Sequence, residues 1–324
     1  MNFDRDSAIK EIEKLVKERK SPLLENCVHC FACNEYCEKG ANPFDLIVEL
    51  QEENEINQPH KSLISMYELP GEFKAPNEKI KGPVMSICAF IDHPQFYKGK
   101  LFEGLTLIRG RFYFCNLLYL HTARESIPKK RAPQIINNLT EIAKVANAKG
   151  FGNEIILFHD ECYTLLTTKA RDYGIEVSFK PVHIFKYLVR YLKEHKSEIT
   201  RLNMNIAYQR PCSSRFTPAK EHFLDEIFDL IGVERVKRKY DRINALCCGA
   251  PQITKGKLAK ETQKRNLEDA ISAGAEALIV TCPMCYDTLK IPVKKHNLKL
   301  YIITDLCRLA LGETISEGKS AYIL

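Results

Sequence analysis

The segment EALIVTCPMCYDTL (residues 276–289) carries a continuous apolar run directly into two cysteines, Cys282 and Cys285. A short run of this kind is typical of a strand that is buried on both faces of a parallel sheet. Ligand sites in such sheets lie at the carboxyl ends of the strands, which is where Cys282 falls. The segment therefore predicts an α/β fold with a cysteine site at the strand ends.

Comparable runs recur along the chain, and helical stretches such as 133–149 and 255–274 separate them. The other runs are PVMSICAFI (83–91), RFYFCNLLYL (111–120), EIILFHDE (154–161), NMNIAYQ (203–209) and LYIIT (300–304). This alternation predicts α/β architecture with parallel strands. Cys88 and Cys212 stand at or just beyond the ends of two of these predicted strands. We therefore expect them at the same end of a sheet as Cys282.

The N-terminal residues show a different pattern. Ile9, Ile12, Leu15 and Val16 fall at helical spacing, and a second helix is predicted from Pro43. Residues 68–83 then string together Pro, Gly and Lys without periodicity. We therefore expect a small helical domain at 1–68, a linker at 69–82 and α/β structure at 83–324.

Composition narrows the class of protein. The chain has 324 residues, 13 cysteines and a formal net charge of +7. Its start lacks the features of a signal peptide, and no apolar run reaches the roughly 20 residues of a membrane span. We therefore expect a cytoplasmic protein, in which so many cysteines indicate metal or redox chemistry rather than disulfides.

Two runs of positive charge, residues 129–131 and RVKRK (235–239), bear on the partners. They lack the interleaved aromatic residues that are typical of nucleic-acid-binding surfaces, so no nucleic acid is expected among the partners. We interpret both runs as solvated faces of the protein. An acidic redox partner is the alternative explanation.

Four cysteines occur together in CVHCFACNEYC (27–37): Cys27, Cys30, Cys33 and Cys37. This CxxCxxCxxxC spacing is typical of a loop that wraps a cubane [4Fe–4S] cluster, in which each iron takes one thiolate. Zinc is usually bound by two separated CxxC pairs, so iron–sulfur is favoured over zinc. In two-cluster ferredoxins the fourth cysteine of a run serves the other cluster. Because this chain has no second run, Cys37 is assigned as the fourth ligand.

A second array of cysteines lies in the C-terminal half: Cys212, Cys247, Cys248, Cys282 and Cys285. Two adjacent thiolates cannot easily point at one small tetrahedral metal, but they can bind different irons of an extended cluster. The adjacent pair therefore indicates a multi-iron site. Gly249 directly after the pair would let the backbone approach that site closely.

These residues resemble a known cysteine-rich module. Cys212, the Cys247-Cys248-Gly249 triplet and the CPMC segment 282–285 are similar to the CCG module of heterodisulfide reductase catalytic subunits. That module recurs in the iron–sulfur subunits of anaerobic glycerol-3-phosphate dehydrogenase, glycolate oxidase and lactate-utilisation enzymes. The N-terminal run, continuing as CEKGANPFDLI (37–47), resembles their ferredoxin-like segment. The resemblance implies that the five C-terminal cysteines hold a noncubane [4Fe–4S] cluster.

The chain departs from that family in two respects. Glu38 follows the last cysteine of the ferredoxin-like run, where the family normally has proline, and Pro43 stands further on. Members often carry two such runs and two CCG modules, whereas this chain has one complete copy of each. The full reductases bind their disulfide between two noncubane clusters, so that reaction does not follow for this chain alone.

The missing module leaves a trace in the first half. FHDECYTLL (158–166) aligns with TCPMCYDTL (281–289), which places His159 opposite Cys282 and Cys162 opposite Cys285. Cys88 then takes the place of Cys212, but no cysteine pair follows it. We therefore expect two tandem CCG-type α/β halves related by pseudo-twofold symmetry: a degenerate first half at 83–200 and a complete second half at 201–324.

The sequence leaves open whether the degenerate first half binds a metal. Zinc would suit the four residues that remain near the lost site, which are Cys88, His121, His159 and Cys162. Cys115 could replace one of them. The favoured alternative is a decayed, metal-free site with buried cysteines. In either case we expect these residues to lie together at the carboxyl ends of the first-half strands. Cys115 and Cys307 are interpreted as core packing.

These observations favour an iron–sulfur electron-transfer or thiol-disulfide oxidoreductase subunit of the heterodisulfide reductase type. It would act with a redox protein partner or within a larger oxidoreductase complex, and a thiol or disulfide is the expected substrate class. The alternative is a non-catalytic protein that scaffolds or delivers iron–sulfur clusters, or activates another enzyme. No Gly-rich dinucleotide fingerprint follows a predicted strand, so no nicotinamide or flavin site is expected.

Overall fold

The computed structural model describes residues 5–58, 60–68, 77–87, 93–109, 123–250 and 256–315. The described N-terminal residues are helical, with α1 (Arg5–Glu18), α2 (Leu23–Asn26), α3 (Ala32–Tyr36), α4 (Pro43–Glu53) and α5 (Lys61–Glu68). Pro43 begins α4, as predicted, because the first turn of a helix tolerates proline. Of the apolar residues predicted to form one face of α1, Leu15 is buried, whereas Ile9 and Val16 are exposed.

Two parallel four-stranded sheets follow. The first has the order β2-β1-β3-β4, with β1 (Val84–Ser86), β2 (Thr106–Ile108), β3 (Glu154–Leu157) and β4 (Lys180–His183). The second has the order β6-β5-β7-β8, with β5 (Met204–Gln209), β6 (Val233–Arg235), β7 (Ala277–Val280) and β8 (Lys299–Ile302). Among the residues described, every strand pair is parallel. The matching strand orders confirm the predicted α/β fold with two halves.

Helices connect the strands of each half. They are α6 (Ser126–Ala148), α7 (Asp160–Thr164), α8 (Ala170–Asp172), α9 (Ile184–Glu194), α10 (Glu221–Ile231), α11 (Gly256–Ser272), α12 (Pro283–Lys295) and α13 (Ile303–Ala310). A π-helical turn, Leu165–Lys169, joins α7 to α8. None of the helices among the described residues combines the length and the hydrophobicity that crossing a bilayer requires.

The two halves are equivalent at the strand ends that carry the predicted sites. β3 pairs its last residue with His183, and β7 pairs its last residue with Ile302, at the same point of each sheet. Two residues beyond these strands stand His159 (φ −110°, ψ 132°) and Cys282 (φ −98°, ψ 132°), each directly before a helix. The structure therefore equates these two residues, as the sequence alignment does.

One apolar core connects all parts of the protein. It contains Met85 and Ile156 from the first sheet, Tyr208 from the second, and Phe31 and Phe44 from the N-terminal helices. Burial of a large apolar side chain contributes about 1.5–3 kcal/mol, so this shared core holds the N-terminal helices against the α/β halves. A separate core lies between α6 and the first sheet.

The interpretation of the two basic runs as solvated faces is wrong for Arg131, which is buried, and for two arginines of RVKRK. Arg235 pairs with Asp241 at 2.6 Å, and Arg238 donates to the Oδ1 atom of Asn266 at 2.8 Å. Both guanidinium groups are almost completely buried. These arginines therefore stabilise the fold rather than presenting charge to a partner, which periodicity and composition could not reveal.

Candidate metal centre

The five cysteines of the C-terminal half lie together although three separate loops carry them. Cys212 begins a 3₁₀ turn after β5, and Cys282 and Cys285 lie at the start of α12. The Sγ atoms of Cys212 and Cys247 are 3.5 Å apart. Thiol hydrogen bonds continue from Cys247 through Cys248 and Cys285 to Cys282. All five side chains are buried, with exposures of 3% to 8%.

These contacts allow two of the five thiols to ionise easily. Hydrogen bonds with Cys212 and Cys248 hold the pKa of Cys247 well below its usual value. A hydrogen bond with Cys285 lowers the pKa of Cys282 to about 5. The pKa values of the other three thiols, Cys212, Cys248 and Cys285, are raised well above the usual range by hydrogen bonds to neighbouring cysteines and by burial. Five thiolates together would therefore need a strongly positive partner.

The donor set of this centre consists of five cysteine sulfurs that contact one another in succession. Among the residues that the structure describes, no group of three or more His, Cys, Asp or Glu side chains is arranged to hold a single metal ion. Soft thiolate ligands are those that iron–sulfur clusters use.

Gly249 meets a steric and a conformational requirement next to the adjacent cysteines. Its φ of +91° is in the region that favours glycine, and a Cβ atom there would lie 3.1 Å from Nε2 of Gln263 and 3.2 Å from Cβ of Ala259. The Gln263 side chain donates to the Cys248 carbonyl at 3.0 Å. The Gly249 amide lies 3.4 Å from the Cys247 sulfur. Glycine therefore brings this backbone close to the sulfurs and to α11.

The N-terminal cysteine loop is held in an uncommon backbone conformation. His29 (φ 51°) and Phe31 (φ 57°) flank Cys30, and both are left-handed, which costs about 1–2 kcal/mol per residue. The Phe31 ring packs 4.3 Å from the Phe44 ring between centroids, and His29 Nε2 lies 2.9 Å from Gln51 Oε1. These buried contacts offset the strain and fix the direction of the loop.

Three sulfurs of this loop interact with one another. Burial raises the pKa of Cys33 strongly, and the charges of Cys30 and Cys27 raise it further. Cys37 stands at the end of α3, where the amide of Ala41 lies 3.4 Å from its sulfur. All four cysteines are partly exposed. The assignment of Cys37 as fourth ligand stays a prediction.

The first half contributes His159 to the neighbourhood of the C-terminal cysteines. Its Nε2 atom lies 3.9 Å from the Cys282 sulfur, and its ring also bonds to Cys162. Burial disfavours the charged imidazole, yet the bonds to Cys162 and Cys282 raise the pKa of His159 well above its usual value. His159 and Cys282 occupy equivalent positions in the two halves. Equivalent residues come into contact when they lie next to the pseudo-twofold axis that relates the halves. Cys88 and His121 lie outside the described residues.

Sequence reasoning missed a buried ion pair that supports the Cys212 turn. The Lys220 ammonium lies 2.8 Å from Oδ1 of Asp160, the residue after His159. It also donates to the hydroxyls of Ser214 (2.8 Å) and Thr217 (2.9 Å). Although burial opposes ionisation, Lys220 and His183 hold the pKa of Asp160 well below its usual range. The first half thereby positions a cysteine of the second.

A second missed group links the two cysteine sites. Glu35 lies between Cys33 and Cys37, and its Oε2 atom accepts hydrogen bonds from Arg210 at 2.6 Å and Arg215 at 2.5 Å. These two arginines stand on either side of Cys212 in the segment RPCSSR. Positive charges next to a predicted thiolate were the signal in the sequence that could have identified them.

Comparison with protein families supports this centre. Residues 206–290 match the family described as CCG: Cysteine-rich domain. The matched stretch contains all five cysteines of the C-terminal array, and the match indicates a CCG-type, iron–sulfur-related role for it. Comparison with curated proteins finds no match.

Solved structures resemble the fold. A hypothetical protein from Helicobacter pylori aligns with a TM-score of 0.56 and 14% identity over 95% of this chain and 68% of its own. The glutamate racemase isoform RacE1 from Bacillus anthracis aligns with a TM-score of 0.34 and 12% identity over 72% of this chain and 81% of its own. Glutamate racemase from Campylobacter jejuni aligns with a TM-score of 0.33 and 14% identity over 70% of this chain and 83% of its own. The first likeness concerns the fold alone.

Proposed function

We propose that this protein is an iron–sulfur electron-transfer or thiol-disulfide oxidoreductase subunit of the heterodisulfide reductase type. In this proposal the cysteines of the 27–37 loop hold a cubane [4Fe–4S] cluster, and the five C-terminal cysteines hold a noncubane [4Fe–4S] cluster. Such clusters supply one-electron oxidation and reduction when bound. The observation that carries the proposal is the contact among five buried sulfurs in the stretch that matches the CCG domain.

The proximity of the two cysteine sites supports electron transfer between them. The thiol of Cys30 interacts electrostatically with the thiols of Cys247 and Cys212. Phe31 packs against Phe216, at the end of the turn that begins with Cys212, with ring centroids 4.9 Å apart. Buried apolar and charged groups such as Phe31 and Arg215 therefore occupy the junction, and electrostatic interactions are stronger in such an environment than in water.

The proposal extends to partners. With one complete set of each cysteine motif, the chain needs a redox protein partner or a larger oxidoreductase complex in the cytoplasm to deliver or accept electrons. A thiol or disulfide is the proposed substrate class. For the first half, zinc at Cys88, His121, His159 and Cys162 stays the alternative to a metal-free site.

One observation favours a second function. The four N-terminal cysteines are partly exposed, whereas the five C-terminal cysteines are buried. A protein that scaffolds or delivers iron–sulfur clusters, or activates another enzyme, needs an accessible site. Reversible reduction of both clusters would support electron transfer, and loss of iron to an apo-acceptor would support delivery.

Cysteine variants of the anaerobically purified protein test the main proposal. The double change of Cys247→Ser and Cys248→Ser should remove or rearrange one EPR signal and leave the signal of the N-terminal site. Cys307→Ser is the matched control, because Cys307 is completely buried in α13 and belongs to neither array. An unchanged spectrum in the double variant would show that the assignment is wrong.

A further inference from the structure

Arg215 ties the N-terminal cysteine loop to the loop that leads to Cys247. Its guanidinium donates to Glu35 Oε2 at 2.5 Å, to the Ile243 carbonyl at 2.9 Å and to the Ala245 carbonyl at 2.7 Å. The side chain is 4% exposed, so these bonds are shielded from water. Removing the guanidinium would leave the Ile243 and Ala245 carbonyls without this donor, and the loss is greatest at the buried Ala245 contact, because an unsatisfied buried acceptor is unfavourable.

Neighbouring contacts reinforce this junction. Arg210 donates to the same Glu35 oxygen and, at 3.2 Å, to the Arg242 carbonyl. The Tyr36 hydroxyl donates to Asn244 Oδ1 at 2.6 Å. Residues 242–245 are therefore fixed by α3 and by the two arginines that flank Cys212. The position of the loop before Cys247 depends on the segment that carries the N-terminal cysteines.

The charge of Arg215 lies between the two cysteine sites. Its guanidinium bonds to Glu35, which stands between Cys33 and Cys37, and to the carbonyl of Ala245, two residues before Cys247. A cation within reach of two thiolate sites stabilises negative charge on each of them. Glu35 lies against the same guanidinium and offsets part of its charge.

We propose that Arg215 is a positioning residue shared by the two cysteine sites, and that the Glu35–Arg215 pair sets the reduction potentials of both clusters together. This inference rests on the proposed function, because it requires clusters at both sites. The charge near an iron–sulfur cluster is one of the factors that set its potential. A reduced cluster carries one more negative charge, so a nearby cation favours reduction and a nearby anion opposes it.

The sign of the effect is opposite for the two partners. Arg215→Gln removes the cation and should shift the midpoint potentials of both clusters to more negative values. Glu35→Gln removes the anion and should shift both to more positive values. Arg215→Lys keeps the charge but loses the two-pronged contact with the loop, so its shifts should be smaller than those of Arg215→Gln.

The experiment is an EPR-monitored redox titration of the anaerobic full-length protein and its variants. Arg238→Gln is the control for Arg215→Gln, because Arg238 is a buried arginine of the same half that bonds to Asn266 and the Tyr208 carbonyl. Asp45→Asn is the control for Glu35→Gln, because Asp45 is an N-terminal carboxylate that pairs with the buried Lys169 at 2.6 Å. Neither control should move both potentials.

The outcomes separate this inference from the proposed function. Wild-type protein without two reducible signals would overturn the function itself. Two wild-type signals with shifts in Arg215→Gln and Glu35→Gln no larger than in the controls, or in only one cluster, would overturn the shared role. If Arg215→Gln does not retain iron, the comparison of Glu35→Gln with Asp45→Asn decides: positive shifts at both clusters support the inference, and their absence refutes it.

Discussion

Replacing Asp160 by Asn should destabilise the protein by about 3 kcal/mol, because it breaks a buried ion pair. Asp160 and Lys220 are 1% and 5% exposed and lie 2.8 Å apart. Removal of one partner of such a pair typically costs about 3–5 kcal/mol, since the other charge stays buried. Lys220 retains the hydroxyls of Ser214 and Thr217, so the lower end of that range applies.

Urea unfolding followed by far-UV circular dichroism measures this loss, since the chain has no Trp for fluorescence. Glu198→Gln is the matched control, because Glu198 pairs with Lys100 at the same distance of 2.8 Å but on the surface. Exposed pairs contribute little, so this control should be close to wild type. An Asp160→Asn midpoint no lower than that of the control would refute the role of the pair.

The effect of Asp160→Asn should also depend on pH in one direction. Lys220 and His183 hold the pKa of Asp160 well below its usual range in the folded protein. The stabilisation is therefore complete above the unfolded pKa, near pH 4, and declines as the pH falls towards the folded pKa. The difference between wild type and Asp160→Asn should be constant from pH 5 to 8 and shrink below pH 4. A difference that grows on acidification would contradict this assignment.

Three further changes test separate parts of the structure. Gly249→Ala should lower the free energy of unfolding by about 1–2 kcal/mol and weaken the C-terminal EPR signal, because the φ of Gly249 is +91°. A full signal and an unchanged urea midpoint would argue against this prediction. Burial raises the pKa of Asp305 to about 6, so its charged form destabilises the folded protein at pH 8 but is scarcely present at pH 4. Asp305→Asn should therefore raise the urea midpoint at pH 8 and have little effect at pH 4. Equal effects at both pH values would exclude that cause. Phe31→Ala should lower the free energy of unfolding by about 3–5 kcal/mol and release iron from the N-terminal loop, because Phe31 is 1% exposed and packs on Phe44 and Phe216. Retention of the N-terminal EPR signal would contradict this prediction.

The central strands were predictable from sequence, and most edge strands were not. β3, β5 and β7 lie inside their sheets and are nearly or fully buried apart from their first residues, so their sequences are apolar runs. The edge strands β4 (KPVH) and β6 (VER) include exposed positions and polar residues. Sequence patterns therefore identified the interior of each sheet but gave no signal for these edges.

The beginning of α6 shows a similar limit. The sequence pattern predicted a helical stretch at 133–149, with Pro133 as its first residue. The helix instead begins at Ser126 and contains Pro133 in its interior. Lys129, Lys130 and Ala132 are good helix formers, and Ala132 is buried in the core beneath the helix. Tertiary packing thus extends the helix beyond the point that local preference indicates.

The candidate site also contains residues that could be predicted from the sequence and residues that could not. The cysteines could be predicted because their spacing and adjacency are local features of the sequence. The Glu35–Arg215 and Asp160–Lys220 pairings could not, because each joins residues that are far apart in the chain. Only the packing of α3 and of the first half against the second half brings these charges together.

The central claim is that the two cysteine arrays hold two four-iron clusters. The most direct test is the iron and acid-labile sulfide content of anaerobically purified protein, measured with zinc on the same sample. Two [4Fe–4S] clusters predict about eight iron and about eight sulfide per chain. Zinc in place of iron, or about four iron per chain in fully loaded protein, would contradict the assignment of a cluster to each array.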